Sequence, residues 1–104
     1  MADKTVPRPV ARALRQMGQD LRTWRVLQRL TAEQVADRAG VDRKTVLNLE
    51  NGERATLENT LRVARALGLL DQLVASVDPY ESDVGRLRAD EALPTRVKHT
   101  RGSK

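Results

Sequence analysis

The chain contains no cysteine, phenylalanine or isoleucine, and only one tryptophan, one tyrosine and one histidine among its 104 residues. Without cysteine there are no disulfides, no thiolate zinc site and no cysteine nucleophile. The lone His99 leaves nothing to build a histidine metal site or a histidine-based catalytic triad. Two aromatics are too few for the stacking platforms that bind single-stranded nucleic acid. No apolar run approaches the roughly 20 residues of a membrane span, and the opening stretch MADKTVPRP lacks the apolar core of a signal peptide. These absences lead to the expectation of a small, soluble, cytoplasmic binding domain with no cofactor and no membrane partner. Enzymatic activity is not expected, because neither a nucleophile–base pair nor a metal cluster can be assembled.

What the chain does have is fourteen leucines, eleven valines and a net charge of +5. That apolar content suffices for one small core of stacked helices, and the length suits one domain with arms. The charge is unevenly placed. Residues 1–30 hold seven Lys/Arg against two acids, residues 31–77 six against seven, and residues 78–104 six against five. The middle of the chain is therefore neutral overall, so a basic docking surface must come from the flanks or from a segregation of charges by face.

Residues 1–9, with two prolines, read as an N-terminal arm. Leu14, Met17, Leu21 and Trp24 then recur at helical spacing, predicting a helix over Val10–Gln28 with Trp24 in the core. Thr31 and Gln34 have the form of a capping box and open a short helix over Ala32–Ala39, which Gly40 ends. Asp42 is placed to cap a third helix, Arg43–Glu50, with Val46 and Leu49 inward, stopping at Asn51-Gly52. Thr56 caps a fourth, Leu57–Leu67, facing inward through Leu57, Leu61, Ala64 and Leu67, and Gly68 ends it. A fifth covers about Leu70–Val77. Residues 10–77 thus read as the folded domain. Beyond Asp78 the periodicity fades, and residues 78–104 read as a tail.

Two short helices joined through Gly40, with Ala36 and Ala39 where they cross, have the form of a helix-turn-helix. The second pins its inner face with Val46 and Leu49 and projects Arg43, Lys44, Leu47 and Asn48 outward. Those outer positions lie where a recognition helix meets base edges in the major groove. In order, Met17-Gly18, Leu21, Arg25, Leu30-Thr31, Val35-Ala36, Ala39-Gly40-Val41, Thr45-Val46, Leu49-Glu50-Asn51-Gly52, Thr60-Leu61 and Ala66-Leu67-Gly68 resemble the Cro/C1-type helix-turn-helix family. This is the xenobiotic-response-element group of bacterial and phage regulators.

The resemblance covers Met17–Leu73 and implies an all-α, five-helix bundle of the phage-repressor (lambda-repressor-like) type. It also implies binding of double-stranded DNA as a homodimer on a palindromic operator. Carried over by position, the base-reading residues fall on Arg43, Lys44, Leu47 and Asn48, and the phosphate-positioning residues on Thr31, Thr45, Asn51 and Arg54. Arg22, on the first helix, is a further candidate for phosphate. Arg43 or Lys44 suits guanine, Asn48 adenine, and Leu47 a thymine methyl; Leu47 also suits a dimer contact. The family's ion pair between the first helix and the recognition helix falls on Arg25 and Glu50. The chain departs from many members in having Ala32 where a phosphate-bracing Gln is common, and Arg54-Ala55-Thr56 where a Pro is common.

The dimer surface is expected on the fifth helix, through Leu69, Leu70, Leu73 and Val77. For the tail three readings stand: a strand over Thr95–Lys98 that pairs across a dimer or meets a toxin, a disordered end, or a basic DNA arm through Arg96, Lys98, Arg101 and Lys104. The leading function is a sequence-specific transcriptional repressor. The alternative is an antitoxin that binds a toxin protein and autoregulates its operon.

Overall fold

The computed structural model describes residues 5–93. Part of the expected N-terminal arm, the Thr95–Lys98 strand, His99 and the basic residues after Pro94 lie outside the described residues. Among the described residues six α-helices follow in order: α1 Arg8–Leu27, α2 Ala32–Ala39, α3 Arg43–Glu50, α4 Leu57–Leu67, α5 Leu70–Ser76 and α6 Asp83–Ala92, with a 3-10 turn at Pro79–Glu81. No strand occurs among the described residues. By internal contact the chain divides into two compact units, Met1–Asp71 and Gln72–Lys104, and α5 crosses their boundary.

The first unit is built on α1 to α4. Val35 and Val46 are fully enclosed, and Leu21, Ala36, Ala39, Leu49, Val63 and Leu67 complete most of the core around them. Small residues at the α2 positions let α3 and α4 both pack closely against it. The helix ends are chemically fixed. The Thr31 hydroxyl accepts from Gln34 N–H at 3.1 Å while Gln34 Oε1 accepts from Thr31 N–H at 2.9 Å, a reciprocal cap that satisfies two otherwise free donors. Gly40 closes α2 in the left-handed conformation, φ 71°, which carries little penalty for glycine. Thr56 caps α4 by accepting from Asn59 N–H at 3.1 Å. Asp42 occupies the N-cap position of α3 with extended backbone, but its side chain makes no cap bond.

Several expectations are corrected. α1 begins at Arg8 rather than Val10, because Pro9 falls in the first turn, where a missing N–H costs nothing and the ring's fixed φ already suits a helix. Trp24 is 42 % exposed and Met17 is exposed as well. The face of α1 that meets the core and α3 runs through Leu14, Gly18, Leu21 and Arg25, which leaves Met17 and Trp24 on its shoulder. On α4 the buried face is Val63, Ala64 and Leu67, while Leu57 in the first turn is exposed. Nothing on α5 is buried, and Val74 and Val77 are exposed.

The second unit contains an element that hydropathy did not reveal. The Asp78 carboxylate accepts from Tyr80 N–H at 2.9 Å and opens the 3-10 turn, and the Ser82 hydroxyl caps α6 by accepting from Gly85 N–H at 3.0 Å. Gly85 lies so close to Pro79 that a Cβ there would stand 2.7 Å from the Pro79 carbonyl carbon. Arg86 donates to Tyr80 O at 2.7 Å and pairs with Asp83. These local contacts make a sixth helix where the sequence reading expected an unpatterned tail.

Candidate nucleic-acid interface

α3 is divided sharply between two faces. Val46, Leu49 and Glu50 are buried, whereas Lys44 and Asn51 are exposed and Asn48 is half-buried on the opposite side. Lys44, Asn48 and Asn51 are spaced four and three apart, so they form one polar ridge along the outside of the helix. Arg43 stands exposed at the amino end. Leu47 differs from the reading of it as a freely projecting residue: it is half-buried and packs against the core cluster, leaving only part of its side chain on the surface. The amino end of α3 thus offers an arginine and a lysine, followed by an amide. These are donor types that match guanine and adenine edges in a major groove.

The helix is held in place from behind by α1. The Arg25 Nε donates to Glu50 Oε2 at 2.6 Å and Nη2 to Glu50 Oε1 at 3.0 Å, a two-pronged contact with the planar carboxylate. A third bond runs from Arg25 Nη1 to the Leu30 carbonyl at 3.0 Å, so one guanidinium joins α1, the α1–α2 turn and α3. The hydrogen bond to Glu50 shifts the Arg25 pKa further upward, outweighing the opposing effect of burial. Gly18 sits directly against the carboxyl end of α3: a Cβ there would approach Leu49 O and come within 2.6 Å of Glu50 O. Gly52, at φ 73°, meets α1 one turn earlier, its hypothetical Cβ 2.9 Å from Arg15 N. The position of the polar ridge is therefore set by backbone-to-backbone contact as well as by the ion pair.

The remaining site candidates surround α3. Thr31 is exposed at the amino end of α2, its oxygen already accepting from Gln34 N–H and its hydroxyl proton still available to an acceptor. Thr45 is half-buried, and Arg22 is exposed on α1. Arg54 is exposed in the α3–α4 loop with φ 52°, a left-handed conformation unusual for a residue with a Cβ. Of the residues expected on α5, Leu69, Leu70 and Leu73 are half-buried, and Val77, just past its end, is 82 % exposed.

Two supporting residues escaped the sequence reading. The Gln28 side chain donates to Leu67 O at 2.8 Å, tying the end of α1 to the end of α4. Arg62 donates to Ala39 O at 3.3 Å and pairs with Glu58 at 3.0 Å, closing the carboxyl end of α2. Both are polar residues satisfying helix-terminal carbonyls, a role that spacing in the sequence does not distinguish from a solvated surface position. Among the described residues no group of three or more His, Asp or Glu is placed to hold a metal ion, and no helix is long and apolar enough to cross a membrane.

Residues 21–71 match the helix-turn-helix family model. That segment begins inside α1 and runs through α2, α3 and α4 into the first turn of α5. No curated protein matches the chain.

Proposed function

Because residues 21–71 belong to the Cro/C1-type helix-turn-helix family of DNA-binding transcription regulators, we propose that this chain is a sequence-specific repressor. In this reading it binds a palindromic operator as a homodimer in the cytoplasm. The observation that supports it most is the split of α3 into a buried face, Val46, Leu49 and Glu50, and an outer ridge of Lys44, Asn48 and Asn51 with Arg43 at its amino end. Arg43, Lys44 and Asn48 read base edges, and the exposed part of Leu47 meets a thymine methyl. Thr31, Thr45, Asn51, Arg54 and Arg22 fix the register through phosphates. Leu69, Leu70, Leu73 and Val77 form the dimer surface, which sets two α3 helices about 34 Å apart on successive major grooves.

Selection of bound duplexes from a random pool tests the reading. A recovered consensus with two-fold symmetry is expected, and a pool showing no palindromic enrichment would count decisively against it. Arg43→Ala should weaken binding to the selected duplex by roughly 1–3 kcal/mol and relax preference at a single base position. Equal loss on selected and random duplexes in the same titration would remove Arg43 from the base-reading set.

Arg54 offers a separation of backbone from charge. Its left-handed φ costs a residue with a Cβ about 1–2 kcal/mol, while glycine adopts it freely but pays about 0.5–1 kcal/mol in chain entropy. Arg54→Gly should therefore unfold in urea within about 1 kcal/mol of the parent, yet lower the log–log salt slope of DNA binding by about one unit. An unchanged slope would show that Arg54 touches no phosphate.

A second reading, an antitoxin that also autoregulates its operon, draws on the second unit, where Val84, Leu87 and Leu93 are exposed. Co-expression with the product of the adjacent gene, followed by size-exclusion chromatography, tests it. A stable complex lost on Leu87→Asp would favour that reading, and two separately eluting proteins would reject it.

A further inference from the structure

The helix-turn-helix core is poor in positive charge: residues 31–77 carry six basic residues against seven acidic ones. A duplex-binding surface has to neutralise phosphates from somewhere, and α1 carries the surplus. Arg8, Arg15 and Arg22 recur at seven-residue intervals, two turns apart, and therefore form one row along the helix. All three are exposed. Arg8, Arg15 and Arg22 take no part in the Arg25–Glu50, Arg62–Glu58 and Arg86–Asp83 ion pairs.

The orientation of this row follows from what α1 touches. Going round a helix of about 3.6 residues per turn, Leu21 and Leu14 come first, then Gly18, then Arg22, Arg15 and Arg8. Leu21 is in the core. Gly18 abuts the Leu49 and Glu50 carbonyls at the carboxyl end of α3, and the backbone of Arg15 abuts Gly52 in the turn that follows. The arginine row thus emerges just beyond the end of α3, on the side away from the core. α3 likewise turns Lys44, Asn48 and Asn51 away from its own buried face of Val46, Leu49 and Glu50.

Within the helix these charges are unfavourable. α1 has no acid in its first turn, where the helix dipole favours one. Arg12 stands four residues from Arg8 and three from Arg15, and like charges at those spacings repel. The fold gains nothing from the arrangement, whereas a polyanion outside it would.

Resting on the DNA-binding reading above, we propose that Arg8 and Arg15 extend Arg22 into a continuous phosphate-gripping row beside the groove entered by α3. Arg8 and Arg15 lie outside the family-matching segment 21–71, which contains Arg22, so these two would add to the helix-turn-helix footprint. At about 1.5 Å per residue the row from Arg8 to Arg22 is ~21 Å long, enough to follow several phosphates of one strand. Its contribution is affinity and register, without sequence information.

The experiment compares the full chain with Arg8→Gln/Arg15→Gln, Arg8→Lys/Arg15→Lys and, as a control on α4, Arg65→Gln. The probe is a mixed-sequence 30-base-pair duplex, with binding followed by fluorescence anisotropy between about 50 and 200 mM salt. The Gln pair should lose about two units of log–log slope, about 0.9 for each phosphate released, and bind tens of times more weakly near 0.1 M salt. Its preferred sequences from a random pool should be unchanged. The Lys pair should keep the parental slope, because an ammonium still neutralises phosphate, and Arg65→Gln should keep it too. An unchanged slope in the Gln pair overturns the row while leaving the DNA-binding reading intact. An equal loss in Arg65→Gln overturns it as well, by showing that overall charge is responsible. A parent chain that binds no duplex from the pool overturns both.

Discussion

Glu50→Leu is expected to destabilise the protein by about 3–5 kcal/mol, the range for removing one member of a buried ion pair. The size follows from the surroundings. The side chains of Arg25 and Glu50 are 13 % and 6 % exposed, so solvent can do little to compensate whichever charge is left behind. In Glu50→Leu the guanidinium keeps only its bond to the Leu30 carbonyl, and two of its donors lose their acceptors. Arg25→Met, which preserves the packing of the alkyl stem, should cost a similar amount by stranding the carboxylate. The double variant should cost far less than the two singles added together, because it buries neither charge alone. Urea unfolding followed by circular dichroism measures all three. Additive losses would mean that the two residues act independently, and α3 would then be held by packing alone. The functional consequence runs in the same direction: Asn48 and Asn51 flank Glu50 on the helix, so loosening this anchor should weaken DNA binding before the protein unfolds.

The elements that carry the candidate site are those the sequence marks chemically. α2, α3 and α4 begin and end as expected, because each is short and bracketed by residues with a conformational reason to be there: Thr31 with Gln34, Gly40, Asn51-Gly52, Thr56 and Gly68. Asp42 marked the right position by residue type even though its side chain bonds nothing at the cap. The orientation of α1 was harder to read, because its buried face contains a glycine and an arginine. Hydropathy sees neither Gly18, buried for want of a side chain, nor Arg25, half-buried because Glu50 receives it. It therefore placed Met17 and Trp24 inward in their stead. Leu47 shows the converse error: its position on the helix is correct, but a leucine beside a small core leans onto that core. α6 was missed because periodicity reports burial, and none of its residues is buried. It is ordered by a serine cap and by hydrogen bonds to the preceding turn, which leave no hydropathy pattern.

Gly18→Ala pits two physical effects of opposite sign against each other. In a helix interior alanine is favoured over glycine by about 0.8–1.0 kcal/mol, and Gly18 lies well inside α1. By propensity alone the substitution should stabilise. The contact geometry predicts otherwise, because the added Cβ would meet Leu49 O and stand within 2.6 Å of Glu50 O and 2.8 Å of the Glu50 carbonyl carbon. These are backbone atoms of α3, which cannot rotate away as a flexible side chain would. Relief requires the two helices to separate, and forcing atoms into a packed interface costs typically 1–3 kcal/mol, occasionally more. The backbone clash is therefore expected to win, with a net loss of up to about 2 kcal/mol for Gly18→Ala and more for Gly18→Val, whose branched side chain adds volume and helix strain. Any separation would act at the carboxyl end of α3, where the Arg25–Glu50 bonds are short and directional, so it should also weaken that pair. Accordingly, Gly18→Ala combined with Glu50→Leu should cost less than the sum of the two changes. Thermal and urea unfolding of the two single variants and the double measures this. A Gly18→Ala protein more stable than its parent would show that α1 and α3 are not in backbone contact, and it would also remove the geometric basis for placing the α1 arginines beside the outer ridge of α3.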